Sequence, residues 1–126
     1  MSLTDSFSNK MLKGKLATYN FRQCHQEYKQ FRTFYKTDPQ EEFQFCVVKL
    51  AAGDDNDTVG PCDSAAWGSP LWTNDGVQVG IASQGSCDVD SPPFLYTRVE
   101  RYVVWIMEQI CLLSDNPPSY CDVKDR

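Results

Sequence analysis

Histidine is almost missing from this chain. His25 is the only one in 126 residues, and it follows Cys24 in a polar helical stretch, where it reads as a surface residue rather than a base or a ligand. Long apolar runs are missing too: none approaches the roughly 18 residues that a membrane-spanning helix requires, so no membrane role is expected. Cations are scarce beyond residue 40. Residues 1–40 hold seven Lys/Arg against three Asp/Glu and residues 41–126 hold five against fourteen, which divides the net charge of -5 into +4 and -9. Phosphate binding needs clustered cations, so the acidic body argues against a nucleic-acid surface, and the basic first third reads as solvated. No Cys-x-x-Cys pair is present, which disfavours zinc. The cluster Asp54-Asp55-Asn56-Asp57 lacks the later Gly and Glu of an EF-hand loop and reads as a solvated turn. Neither a metal nor a cofactor is expected. The first ten residues lack the apolar stretch and cleavage site of a secretion signal, so the expectation is a segment cut or processed from a longer chain.

What is present fits one domain. The chain is 41% hydrophobic and 13% aromatic, so it is globular rather than disordered, and its length suffices to bury about two-thirds of the surface of the unfolded form. Six cysteines, Cys24, Cys46, Cys62, Cys87, Cys111 and Cys121, are spread along it and point to disulfides and an oxidising, extracellular setting. Spacing alone leaves 15 connectivities open. Asn56-Asp57-Thr58 matches a glycosylation sequon in a polar loop, which agrees with secretion.

Residues 1–12 read as a flexible arm, residues 13–113 as the domain and residues 114–126 as a polar tail. Lys13 to Phe21 suggests a strand with Leu16 and Tyr19 among its apolar residues. Arg22 to about Phe34 is helical in pattern but polar nearly all round, with one shallow stripe at Tyr28, Phe31 and Tyr35, and Thr37-Asp38-Pro39 ends it. Glu42 to Leu50 alternates, with Phe43, Phe45, Val47 and Lys49 on one side and Gln44, Cys46 and Val48 on the other. Leu71 to Thr73 and Val77 to Ser83 form a hairpin across Asn74-Asp75-Gly76. Phe94 to Arg98 is a further strand. Val99, Tyr102, Val103, Ile106, Met107, Ile110 and Cys111 then keep helical spacing, predicting a helix whose apolar face docks on a core.

Four stretches share an order with a known family. They are Cys24 and Cys46 around the polar helix; Cys62 with Gly68-Ser69-Pro70-Leu71; Val79-Gly80-Ile81-Ala82-Ser83-Gln84-Gly85 before Cys87; and Pro93-Phe94-Leu95-Tyr96-Thr97-Arg98-Val99 with Tyr102 and Trp105-Ile106. Together they resemble the C-terminal half of the trypsin-like (chymotrypsin-fold) serine proteases, over about residues 13–110. The resemblance implies an all-β, antiparallel six-stranded barrel, the second barrel of that fold, with a short intermediate helix and a C-terminal α-helix. It also implies bridges between Cys24 and Cys46 and between Cys62 and Cys87, leaving Cys111 for Cys121.

Triad chemistry needs a serine hydroxyl bonded to a His, an Asp behind that His, and two backbone N–H groups aimed at the oxyanion. Counted back from Pro70, the nucleophile position holds Trp67, which has no hydroxyl, and Ala65-Ala66 replace the glycine turn before it. The family's His and Asp belong to the other barrel. Gly60 stands where a trypsin carries its pocket-floor Asp, Phe94 replaces a wall glycine, and Gln84 replaces a Trp between Ser83 and Gly85, so the resemblance implies an occluded specificity pocket. Phe94 and Trp67 are expected to fill that space as core residues. The reading is a non-catalytic serine protease homologue, secreted, that acts by binding protein as a cofactor, decoy or regulator of an extracellular protease pathway. Half of a two-barrel fold leaves an apolar face, for which the expected cover is the missing N-terminal barrel, a protease, another extracellular protein or a second copy. Two rivals remain: a peptidase using Ser64 with a complementing barrel, and an unrelated secreted disulfide-rich binding domain.

Overall fold

The computed structural model describes residues 14–31, 37–49, 66–87 and 90–122. Within them β1 (Leu16–Tyr19) leads into α1 (Phe21–Gln30), followed by β2 (Gln44–Lys49), β3 (Pro70–Trp72), β4 (Gln78–Gln84), β5 (Phe94–Arg98), a 3-10 turn (Val99–Tyr102), α2 (Val103–Leu113) and a second 3-10 turn (Ser119–Asp122). The strands form one antiparallel sheet in the order β1-β2-β5-β4-β3. The fold is therefore all-β in its body, with five strands among the described residues, the same five stretches that the hydropathy pattern marks. The expected flexible arm at residues 1–12 lies outside the described residues.

Alternation along β2 and β5 sends side chains to two cores, one on each face of the sheet. On one face Cys46 and Leu95, opposite each other in the register, join Cys24 and Tyr28 of α1, with Tyr19 and Phe21 packed against them. On the other face Val47, Ala82, Phe94 and Tyr96 form an inner cluster flanked by Leu16, Phe45, Leu71 and Cys87. Gly80 is required there, because a Cβ at that position would lie 2.8 Å from the Phe45 ring and 3.2 Å from the Tyr96 ring. The two-sided pattern expected for residues 42–50 is thus the pattern observed.

Local chemistry sets the element ends. Asn20 caps α1 by accepting the Gln23 N–H at 2.9 Å, which stops β1 at Tyr19 and starts the helix at Phe21, one residue earlier than expected. The helix ends at Gln30, where the Phe31 N–H bonds to the Tyr28 carbonyl at 3.0 Å; Tyr35, expected on its apolar stripe, lies outside the described residues. The β3–β4 hairpin turns through Gly76 N–H to Thr73 O at 3.0 Å and Thr73 N–H to Val77 O at 2.8 Å, with Gly76 at φ 86°. Only that glycine takes a positive φ in the turn, the arrangement of a three-residue loop with a left-handed glycine rather than a two-residue reversal. The Thr73 hydroxyl donates to the Asp75 carboxylate and accepts from the Val77 N–H, and its bond holds the Asp75 carboxyl below the usual range.

The C-terminal helix differs from expectation in two respects. Its first turn, Val99 to Tyr102, is 3-10, and the α-helix begins at Val103. No residue of its apolar face is fully buried: Ile106, Met107 and Cys111 of the expected stripe are half-buried, and among the described elements its neighbours are chiefly the two short 3-10 turns that flank it. The periodicity identifies a stripe, but Val104, Trp105 and Leu112 lie off that stripe, so the helix is apolar on more than one side.

Candidate functional site

The segment just before β3 was expected to hold the degenerate nucleophile loop, and its described part is a tight turn. Ser69 N–H bonds to Ala66 O at 3.1 Å, Gly68 N–H to Ala82 O at 2.8 Å, and Ala82 N–H to Ser69 O at 2.9 Å. The N–H groups of Gly68 and Ser69 are thereby spent on the turn and on β4. Gly68 sits at φ 91°, a left-handed conformation that glycine adopts without strain. The turn buries Ala66 and leaves Trp67 48% exposed. Trp67 is therefore not the buried core residue expected to fill a redundant cavity.

Phe94 is buried as expected. A Cβ on Gly85 would lie 2.5 Å from the Phe94 ring and 3.0 Å from its Cα, so the ring and backbone of Phe94 rest directly on the glycine, which sits at φ 152°. Ser83 and Gln84, half-buried at the end of β4, lead into this contact. Of the residues assigned to an occluded pocket, the structure brings Ser83, Gln84, Gly85 and Phe94 to one place, while Gly60 lies outside the described residues, as do Ser64, Cys62 and Asn56.

His25 was expected at the surface, without a base or ligand role. It stands half-buried on α1, with Nε2 3.8 Å from the Asp38 carboxylate and its ring tilted against Phe21. Two disulfides join described residues: Cys24 to Cys46, which ties α1 to β2, and Cys111 to Cys121, which ties the last 3-10 turn to α2. Cys87 is disulfide-bonded as well, and the bridge expected for it to Cys62 has one end outside the described residues.

Two features were not read from the sequence. One is a surface hollow of about 370 Å³ lined by Tyr19, Glu27, Val47, Lys49, Ser86 and Phe94, among others. In it the Tyr19 hydroxyl donates to Glu27 at 2.6 Å, and that bond raises the Tyr19 pKa above its ordinary value. No motif announces this pair, because the residues come from different elements eight positions apart. The second is the outer face of α2, where Val104 is 71% exposed, Trp105 60%, Leu112 76% and Leu113 78%. Its signal was available: Glu108 is the only charged residue in the eleven of α2.

Among the described residues no group of three His, Cys, Asp or Glu side chains is placed to hold a metal ion, and no helix is long and apolar enough to cross a membrane. No family model matches the sequence, and no curated protein matches it.

Proposed function

We propose that the chain is a non-catalytic protein-binding domain, built as the second-barrel half of a trypsin-like serine protease homologue and working outside the cell. The observation that carries this reading is the outer face of α2. Helices at the surface of a self-sufficient domain turn a polar side to water. This one presents Val104, Trp105 and Leu112 instead, with Leu113 at its end. Large apolar side chains left exposed in this number, here on either side of Glu108, mark a protein interface, and the partner is a protein that covers α2. The absence of a hydroxyl at Trp67, the N–H groups of Gly68 and Ser69 consumed in pairing, and Phe94 seated on Gly85 support a role without peptide cleavage. The sheet order and the Cys24 to Cys46 bridge beside α1 support the protease-like scaffold, and the disulfides support an oxidising compartment.

The test is size-exclusion chromatography of the full chain with a hydrophobic dye, beside labelling with a fluorophosphonate serine probe. Expected are dye binding or self-association that falls in the Val104→Ser, Leu112→Ser double variant, and no covalent label. A partner-free monomer that binds no dye sinks the interface. A label that Ser64→Ala removes sinks the non-catalytic reading.

A further inference from the structure

Asp75-Gly76 is the only Asp-Gly or Asn-Gly step in the chain. Such a step is chemically weak, because glycine places no side chain beside the nitrogen that can attack the preceding carboxyl. The hairpin nevertheless demands it, since residue 76 sits at φ 86°, where any side chain would be strained. Asp75 is itself exposed, so water reaches its carboxyl. What restrains the step is Thr73. Its carbonyl accepts the Gly76 N–H at 3.0 Å, which engages the nucleophile, and its hydroxyl donates to the Asp75 carboxylate, which engages the electrophile. The same hydroxyl accepts the Val77 N–H at 3.1 Å, and the Thr73 N–H donates to the Val77 carbonyl at 2.8 Å, so one residue closes the whole turn.

We propose that Asp75 is a latent modification site, at which the chain isomerises to isoaspartate, and that the Thr73 hydroxyl is the latch that delays it. The reaction needs water only. The Gly76 nitrogen attacks Cγ of the protonated Asp75 carboxyl; the new N–Cγ bond closes a succinimide ring, and the proton of the nitrogen leaves with the hydroxyl of the carboxyl as water. A second water then opens the ring. Attack at Cγ restores aspartate, whereas attack at the Asp75 main-chain carbonyl carbon routes the backbone through the side chain and leaves a free α-carboxylate. Only the neutral acid has a hydroxyl to lose, so a bond that holds the carboxyl below its usual range slows the first step, and the Thr73 hydroxyl supplies that bond. Isoaspartate carries one more backbone methylene, and the bonds from Thr73 to the far side of the turn no longer close. β3 is three residues long and among the described residues pairs only with β4, so the modification frees Leu71 from the inner cluster.

This site is independent of the α2 interface, and either can fail alone. The full chain, its Thr73→Val and Thr73→Ser variants and a synthetic peptide of residues 70–80 are incubated for weeks at neutral pH. Isoaspartate at position 75 is scored by isoaspartate-specific carboxyl methylation and by fragmentation of the peptide that carries it. The free peptide, which has no fixed turn, is expected to isomerise fastest and the full chain slowest. Thr73→Val is expected to run about five-fold or more faster than the full chain, the order of one hydrogen bond to a charged group, and Thr73→Ser to stay as slow as the full chain. Hydrogen exchange of the amide at position 73, whose bond to the Val77 carbonyl is main chain to main chain, shows whether the hairpin stays closed. Fast isomerisation in Thr73→Val with that amide still protected assigns the restraint to the hydroxyl. The same rate with the amide unprotected assigns it to the hairpin as a whole and overturns the latch. So does a full chain that isomerises as fast as the peptide, a Thr73→Val variant as slow as the full chain, or a Thr73→Ser variant as fast as Thr73→Val. A peptide that forms no isoaspartate overturns the site itself.

Discussion

The two helices of this protein reverse the usual relation between composition and burial. α1 is the polar one, yet Cys24 and Tyr28 on its inner side are shut away completely. A disulfide ties it to β2, and the Tyr28 hydroxyl reaches across to donate to the Pro93 carbonyl at 2.6 Å. α2 is the apolar one, yet none of its residues is buried, and its disulfide leads only to the short turn that follows it. Two well-placed side chains and a covalent tie are enough to fix α1, because burial acts on the area that meets a neighbour and not on the mean polarity of the helix. Among the described residues α2 has the apolar area without a neighbour that buries it fully. Its composition is that of a buried helix, and under the proposed function the cover is a partner.

The largest expected effect tests the docked side. Replacing Cys24 and Cys46 together by alanine releases a closure of 22 residues and is expected to lower unfolding stability by about 3 kcal/mol, measured by urea denaturation. Both cysteines are fully buried in one cluster with Tyr28 and Leu95, so lost packing adds to the lost chain constraint. A loss under about 1 kcal/mol would mean that α1 is no better anchored than α2.

A comparable effect tests whether the inner cluster is sealed from water. Burial pushes the Tyr96 hydroxyl from the ordinary 10.0 up to about 12, because the interior disfavours tyrosinate. The raised value means the group stabilises the fold fully below pH 10 and loses that contribution as pH rises through about 12. The expected loss is on the order of 2–3 kcal/mol across that window. Tyr96→Phe should flatten the alkaline slope, as followed by denaturation at several pH values and by the tyrosinate absorbance. An unchanged slope in the variant would mean that water reaches the Tyr96 hydroxyl and that the inner cluster is not sealed.

How much of this was legible beforehand follows from what hydropathy patterns encode. The alternation of residues 42–50 assigned Phe45 and Val47 to one face and Cys46 to the other, and the two clusters confirm that division. Element ends were less legible, since β1 stops where the Asn20 side chain finds an N–H three residues on. The exposure of Trp67 was not legible at all: hydropathy marks a tryptophan for the core, and the residue expected inside is 48% exposed. The helical spacing from Val99 to Cys111 named an apolar stripe correctly but could not say whether anything lay against it. Periodicity reports the faces of an element, not its neighbours. The six-stranded count likewise came from the family resemblance, while the chain itself offers five alternating stretches. Of the site residues, Gly85 and Phe94 were named through the family resemblance and do meet, whereas Glu27 and Tyr19 meet only through the packing of α1 beside β1.

The smallest effect is the one on which the contrast between the helices depends most. Val104→Ser with Leu112→Ser removes two large apolar side chains, a change that inside a core costs several kcal/mol. At 71% and 76% exposure these side chains have little contact to lose, so unfolding stability should move by no more than about 0.5–1 kcal/mol, part of it helix propensity. Dye binding and association should fall in the same variant. If stability drops by more than about 2 kcal/mol instead, α2 is docked in the free chain and the two helices are alike. If stability holds and association falls, the apolar residues of α2 serve what binds the protein and not what folds it.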